Sequence, residues 1–164
     1  MDILDEDLLK FWAGLNKYHV QYIMVGGFAV NLYGYSRATN DVDLWLKDEK
    51  ANRVNLGKAF AEIGYGEVSF ENIQFVPGWT NFHIGSGIQL DIMTSMKGLE
   101  DLSFDECLQM ATVAEIMGVK VPFLHINHLI TNKKIVNRPK DQTDVIELEK
   151  IRQILRREQS GQKG

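Results

Sequence analysis

A single cysteine, Cys107, in 164 residues leaves no intramolecular disulfide and no cysteine-rich zinc module, and it reads as a packed thiol. Three prolines and 14 glycines exclude a collagen-like, linker-rich or broadly disordered chain. The longest apolar runs, 22–25 and 28–30, are far too short to cross a bilayer, so no membrane partner is expected. The first residues, Met-Asp-Ile-Leu-Asp-Glu-Asp, are acidic where a secretory or transit peptide would be basic. His125 and His128 lack a third and fourth ligand nearby, which argues against zinc. The expectation is a reduced, cytoplasmic protein folded as one domain over 1–164.

What is present is distributed unevenly. From Lys133 to the end the chain carries nine Lys or Arg against five acids, a net +4, while the preceding 132 residues are net −8. An acidic body with a basic C-terminal segment suits cations in one region and phosphates in the other, although a solvated mixed-charge helix has the same composition. Apolar periodicity predicts helices over 4–17, 27–35, 51–63 and 104–110. Strands are predicted over 20–25, 41–46, 67–70, 73–76, 82–84 and 89–93, and a hairpin about Gly118 over 113–123. Asn127 is placed to cap a helix to about Val136, and Pro139 to open a last helix to about Arg157. Trp12, Trp45 and Trp79 read as core or rim packing. The order predicts an α/β (α+β) fold, a mixed β-sheet flanked by helices and covered mainly on one face. Its sheet core spans about 18–123 and its C-terminal helical segment about 126–158.

Three features combine into a candidate site. Gly26-Gly27 closes a strand and opens a helix, Asp41 and Asp43 sit two apart on the next strand, and Asp91 lies inside Gln89-Leu90-Asp91-Ile92-Met93. Residues i and i+2 of a strand share a face, so Asp41 and Asp43 project together. If the Asp91 strand lies alongside in register, three carboxylates crowd one place, an arrangement that divalent cations would neutralise. Such a trio suits two Mg²⁺ ions, with Mn²⁺ as the substitute, in phosphoryl chemistry. Gly26 and Gly27 would let a phosphate approach the backbone beside them. Arg37, Lys133, Lys134, Arg138 and Lys140 are candidate partners for a nucleotide's phosphates or an RNA backbone. Each part has a plainer reading alone: a turn, an exposed strand face, solvated basic residues. Asp141 and Asp144 are most simply favourable acids in a helix first turn.

The stretch Val25-Gly26-Gly27-Phe28, then Asn40-Asp41-Val42-Asp43-Leu44 with 13 residues between Gly27 and Asp41, then Leu90-Asp91-Ile92, resembles the nucleotidyltransferase superfamily signature. The wording Gly34-Tyr35-Ser36-Arg37-Ala38-Thr39 is similar to small bacterial nucleotidyltransferase-like proteins, related to minimal nucleotidyltransferases and AbiE-type toxins. Residues 128–134 and 138–144 are similar to a C-terminal motif of that group. The resemblance implies Mg²⁺-dependent transfer of a nucleoside monophosphate from an NTP such as ATP to a hydroxyl acceptor, with release of pyrophosphate. It places phosphate binding on Gly26 and Gly27, metal binding on Asp41, Asp43 and Asp91, and acceptor activation on Asp91. Acceptors would be RNA such as a tRNA end, a protein or a small molecule. The alternative is a non-catalytic interaction protein of the same fold in a toxin–antitoxin pair, with an antitoxin or other small protein as partner.

Overall fold

The computed structural model describes residues 5–39, 41–66, 68–76, 79–85 and 87–161. Helix α1 (Glu6–Lys17) starts where the Asp5 carboxylate accepts the Asp7 and Leu8 backbone N–H groups at 2.9 and 3.1 Å. Its apolar stripe buries Leu8, Phe11, Trp12 and Leu15. Strand β1 (Tyr22–Val25) is buried along its whole length and passes directly into α2 (Gly26–Leu32). That helix stops short of the predicted Tyr35, because Gly34 takes φ +109° and turns the chain away. Strand β2 (Asp41–Leu46) and helix α3 (Lys50–Phe60) follow, with a wider helical turn over Ala61–Tyr65.

The next strands are β3 (Asn81–Ile84) and β4 (Ile88–Met93), and then come α4 (Phe104–Met110), β5 (Thr112–Ile116) and β6 (Val119–Phe123). Met117 and Gly118 close the β5–β6 hairpin with φ of +50° and +82°, the paired positive values that a two-residue hairpin turn requires. Helices α5 (Ile126–Val136) and α6 (Pro139–Gly161) complete the order. His125, not Asn127, caps α5: its Nδ1 accepts the Asn127 backbone N–H at 3.1 Å, so Asn127 already stands inside the helix.

The six strands form one mixed sheet in the order β3-β4-β2-β1-β6-β5. The central β2 pairs antiparallel with β1 and parallel with β4. Helices α1 and α3 cover one face. There the Trp12 indole N–H points to the Met24 sulfur at 3.4 Å, and the Phe60 ring lies 5.1 Å from that of Phe82. Side chains alternate along β2, so Asp41, Asp43 and Trp45 turn to the opposite face, where Trp45 packs edge-on against Phe104 of α4 at 5.3 Å.

Two strands expected over 67–70 and 73–76 do not form: residues 68–76 are irregular, and Glu67 lies outside the described residues. Phe70 and Phe75 plug the core instead. Phe70 sits 5.1 Å from Phe60, 5.5 Å from Phe82 and 5.9 Å from Phe75. A Cβ on Gly57 would lie 2.5 Å from the Val68 carbonyl, so helix and segment touch through backbone. The apolar alternation there records aromatic anchoring without strand pairing. Trp79 also departs from expectation, being 87% exposed while Trp12 and Trp45 are buried.

Candidate active site

Asp43 and Asp91 are direct partners in the parallel β2–β4 register, and Asp41 stands opposite Gln89 on the same face. Neighbouring parallel strands therefore bring together the carboxylates that the chain separates by nearly fifty positions. Burial pushes the Asp43 carboxyl up to about 6, and the charges of Asp91 and Asp41 add to the rise. Lys133 and Lys140 act the other way.

The Gly-Gly pair is explained by what presses on it. Gly26 has φ +68°, and a methyl group there would collide with the Asp43 carboxylate. At Gly27 the reason is contact: a Cβ would stand 2.6 Å from Nη2 of Arg37 and 3.1 Å from its Cζ. Both glycines thus let the acid of β2 and the Arg37 guanidinium close onto the start of α2.

A cleft of about 320 Å³ opens at this point. Gly26, Gly27, Arg37, Asp41, Asp43 and Asp91 line it together with Lys133, Arg138 and Lys140 of the α5–α6 corner. Lys97, which carries no sequence pattern, also lines it from the segment after β4. That segment is fixed to α5, since Asn132 donates to the Lys97 carbonyl at 2.9 Å and a Cβ on Gly98 would lie 3.1 Å from Ile135. Lys134 points elsewhere: it pairs with Glu149 at 3.0 Å on the exposed side of the helix pair and is not among the cleft-lining residues.

Behind the cleft lies an ion network that the sequence reading missed. Arg37 donates to both oxygens of Asp144, Nε to Oδ1 at 2.8 Å and Nη2 to Oδ2 at 3.0 Å. Lys133 joins Asp144 at 3.0 Å and Asp141 at 3.1 Å, and Arg138 donates to Asp141 through Nε at 2.7 Å and its backbone N–H at 3.0 Å. Lys133, Asp141 and Asp144 are all buried. Burial alone would raise the Asp141 carboxyl, but hydrogen bonds from Arg138 and Lys133 outweigh it and hold the group down at about 2. The available signal was spacing: Asp141 and Asp144 lie one helical turn apart, on one face of α6.

Among the described residues, no group of three or more His, Cys, Asp or Glu side chains forms a ready metal cage. The donor set nonetheless fits a hard divalent cation in its chemistry. Asp41, Asp43 and Asp91 offer oxygen ligands on one sheet face, and their mutual repulsion is part of what raises Asp43. The described residues also include no helix long and apolar enough to cross a membrane.

The model of a family described as "Nucleotidyl transferase of unknown function (DUF2204)" matches residues 5–161. No curated protein matches the chain. Among solved structures, the lincosamide antibiotic adenylyltransferase LnuA, lincomycin-bound, is similar with a TM-score of 0.59 at 15% identity, covering 92% of this chain and 99% of that one. An antigenic nucleotidyltransferase-like protein from Paracoccidioides brasiliensis gives 0.57 at 18% identity, covering 90% and 77%. ANT(2")-Ia in complex with adenylyl-2"-tobramycin gives 0.53 at 19%, covering 94% and 95%. At these identities the likenesses concern the fold.

Proposed function

The chain belongs to this nucleotidyl transferase family, and from that premise we propose that it transfers a nucleoside monophosphate from an NTP to a hydroxyl acceptor and releases pyrophosphate. The observation that carries the reading is the pairing of Asp43 with Asp91 directly beside the Gly26–Gly27 turn. Acids and phosphate cradle then share one cleft with a basic wall.

In this reading Asp41, Asp43 and Asp91 hold Mg²⁺. The ion, when bound, supplies Lewis acidity at the reacting phosphate and offsets the charge gathered there. The backbone at Gly26 and Gly27 receives the triphosphate, and Arg37, Lys133 and Lys140 face its negative charge. Asp91 takes the proton of the acceptor hydroxyl as its oxygen bonds to the α-phosphorus and the bond to the β-phosphate oxygen breaks. In the same reading Lys140 and Arg138, which also line the cleft, offset the charge of the departing pyrophosphate.

The acceptor class is the open variable, because the acids are indifferent to what lies behind the hydroxyl. Two of the similar structures carry a lincosamide or an adenylylated aminoglycoside, which supports beginning with small hydroxylated molecules. Incubation with α-labelled NTPs, Mg²⁺ and a host lysate, followed by separation of small molecules, RNA and protein, tests the reading. Label should enter one fraction and be lost with Asp91→Asn. Equal labelling by wild type and variant would overturn it.

A further inference from the structure

Asp144 takes no part in the chemistry just described, yet its side chain is fully buried and is the point where two cleft cations meet. We propose that Asp144 is a positioning residue of the nucleotide site: it holds the Arg37 guanidinium against Gly27 and the Lys133 ammonium toward the acids, and so sets the shape of the phosphate-binding wall. This rests on the nucleotide reading given above.

The bidentate pairing fixes the plane of the guanidinium as well as its place. The fixed group lies on Gly27, where the Arg37 atoms Nη2, Cζ and Nη1 would stand 2.6, 3.1 and 3.2 Å from a Cβ. Nη1 is directed to the Ala38 carbonyl at 3.2 Å, and the Arg37 backbone N–H reaches Asn31 at 3.2 Å, so the residue is held from three directions. The second oxygen of Asp144 also reaches Lys133, whose charge acts on Asp43. One carboxylate on α6 thereby orders the loop before β2, the start of α2 and the end of α5.

Stability alone gives little reason for this arrangement. Buried ion pairs are often replaced by apolar residues without loss, because removing the charges from water costs about as much as pairing them returns. Alignment of cations is something apolar packing cannot supply. The network also has three cations, Arg37, Lys133 and Arg138, to two acids, Asp141 and Asp144, leaving positive charge beside a cleft for phosphates.

The test compares wild type, Asp144→Asn and Arg37→Lys, measuring ATP and AMP affinity in Mg²⁺ by calorimetry, with a thermal melt of each. Asn keeps the shape of Asp144 but loses its charge, and Lys keeps the charge of Arg37 but cannot make the fork. Both variants should weaken ATP binding by roughly tenfold and AMP binding by under about threefold, since the wall acts on the outer phosphates. If Asp144→Asn does not fold, Arg37→Lys carries the comparison, its side chain being 20% exposed. ATP affinity unchanged in a folded variant, or ATP and AMP falling equally, overturns the positioning role while leaving the nucleotide site intact. A wild type that binds neither nucleotide overturns the site and this proposal with it.

Discussion

Two groups of aspartates, one lining the cleft and one behind it, have opposite electrostatic fates. Burial pushes Asp43 up to about 6, and the like charges of Asp91 on the adjacent strand and of Asp41 add to the rise. Asp141 is buried among Arg138 and Lys133 and is held at about 2. The same side chain thus spans about four pH units, through the company it keeps. Cations answer the charge of the second group, whereas carboxylates crowd the first.

The largest effect expected from breaking this contrast is catalytic. Asp43→Asn and Asp91→Asn should each lower transfer by roughly 10²–10⁴-fold in the labelled-NTP assay. Metal-free Asp43→Asn should nevertheless melt at or above the wild-type temperature. Because the folded value of Asp43 exceeds the unfolded one, the native state binds more protons between about pH 4 and 6, and wild-type stability falls as pH rises through that window. Asn removes that penalty. It should also remove the wild type's thermal shift in Mg²⁺ and ATP, about 2.7 kcal/mol at a hundred times the dissociation constant.

Next in size is the matched group. Lys133→Met leaves Asp141 and Asp144 buried with fewer partners and should cost about 3–5 kcal/mol, read as a melting temperature lower by roughly 10 °C. Acid should act on the same group with the reverse sign. The folded value of Asp141 lies below the unfolded one, so its contribution is present above about pH 4 and is lost as pH falls toward 2. Unfolding free energies from urea titrations should drop over that range by on the order of 2 kcal/mol, and by less in Lys133→Met, where part of the cause has gone. The smallest change belongs to Lys134→Ala. That exposed pair with Glu149 should be worth under about 0.5 kcal/mol, with nucleotide affinity unchanged.

Legibility in the sequence followed the range over which each feature is decided. Strands β2 and β4 and the Gly118 hairpin were readable, because alternation and turn chemistry act within a few residues. The acids and the Gly-Gly pair were readable because same-face spacing and a tight turn leave local marks. Residues 67–76 misled because Phe70 and Phe75 alternate like a strand while anchoring an aromatic cluster with Phe60. Asp141 and Asp144 were readable as helix-start acids, but the pairing of Asp144 depends on Arg37, 107 positions before it. Lys97 gave no local mark, and it enters the cleft because Gly98 lets its segment lie against α5. Lys134 had the composition of a phosphate ligand and the wrong side of the helix.

That 107-residue separation between Arg37 and Asp144 also orders events in time. As the chain emerges during synthesis, the Gly-Gly turn comes first, the Asp41–Asp43 strand next, and Asp91 only after the long crossover from β2 to β4. The carboxylates can meet while α6 is still unmade. The guanidinium cannot lock until the last helix docks, when the entropy of closing the longest loop in the network is finally paid. A nascent chain would therefore pass through a stage with its acids gathered and its basic wall missing. Release of the C-terminal helix, rather than formation of the sheet, would mark the moment the cleft matures.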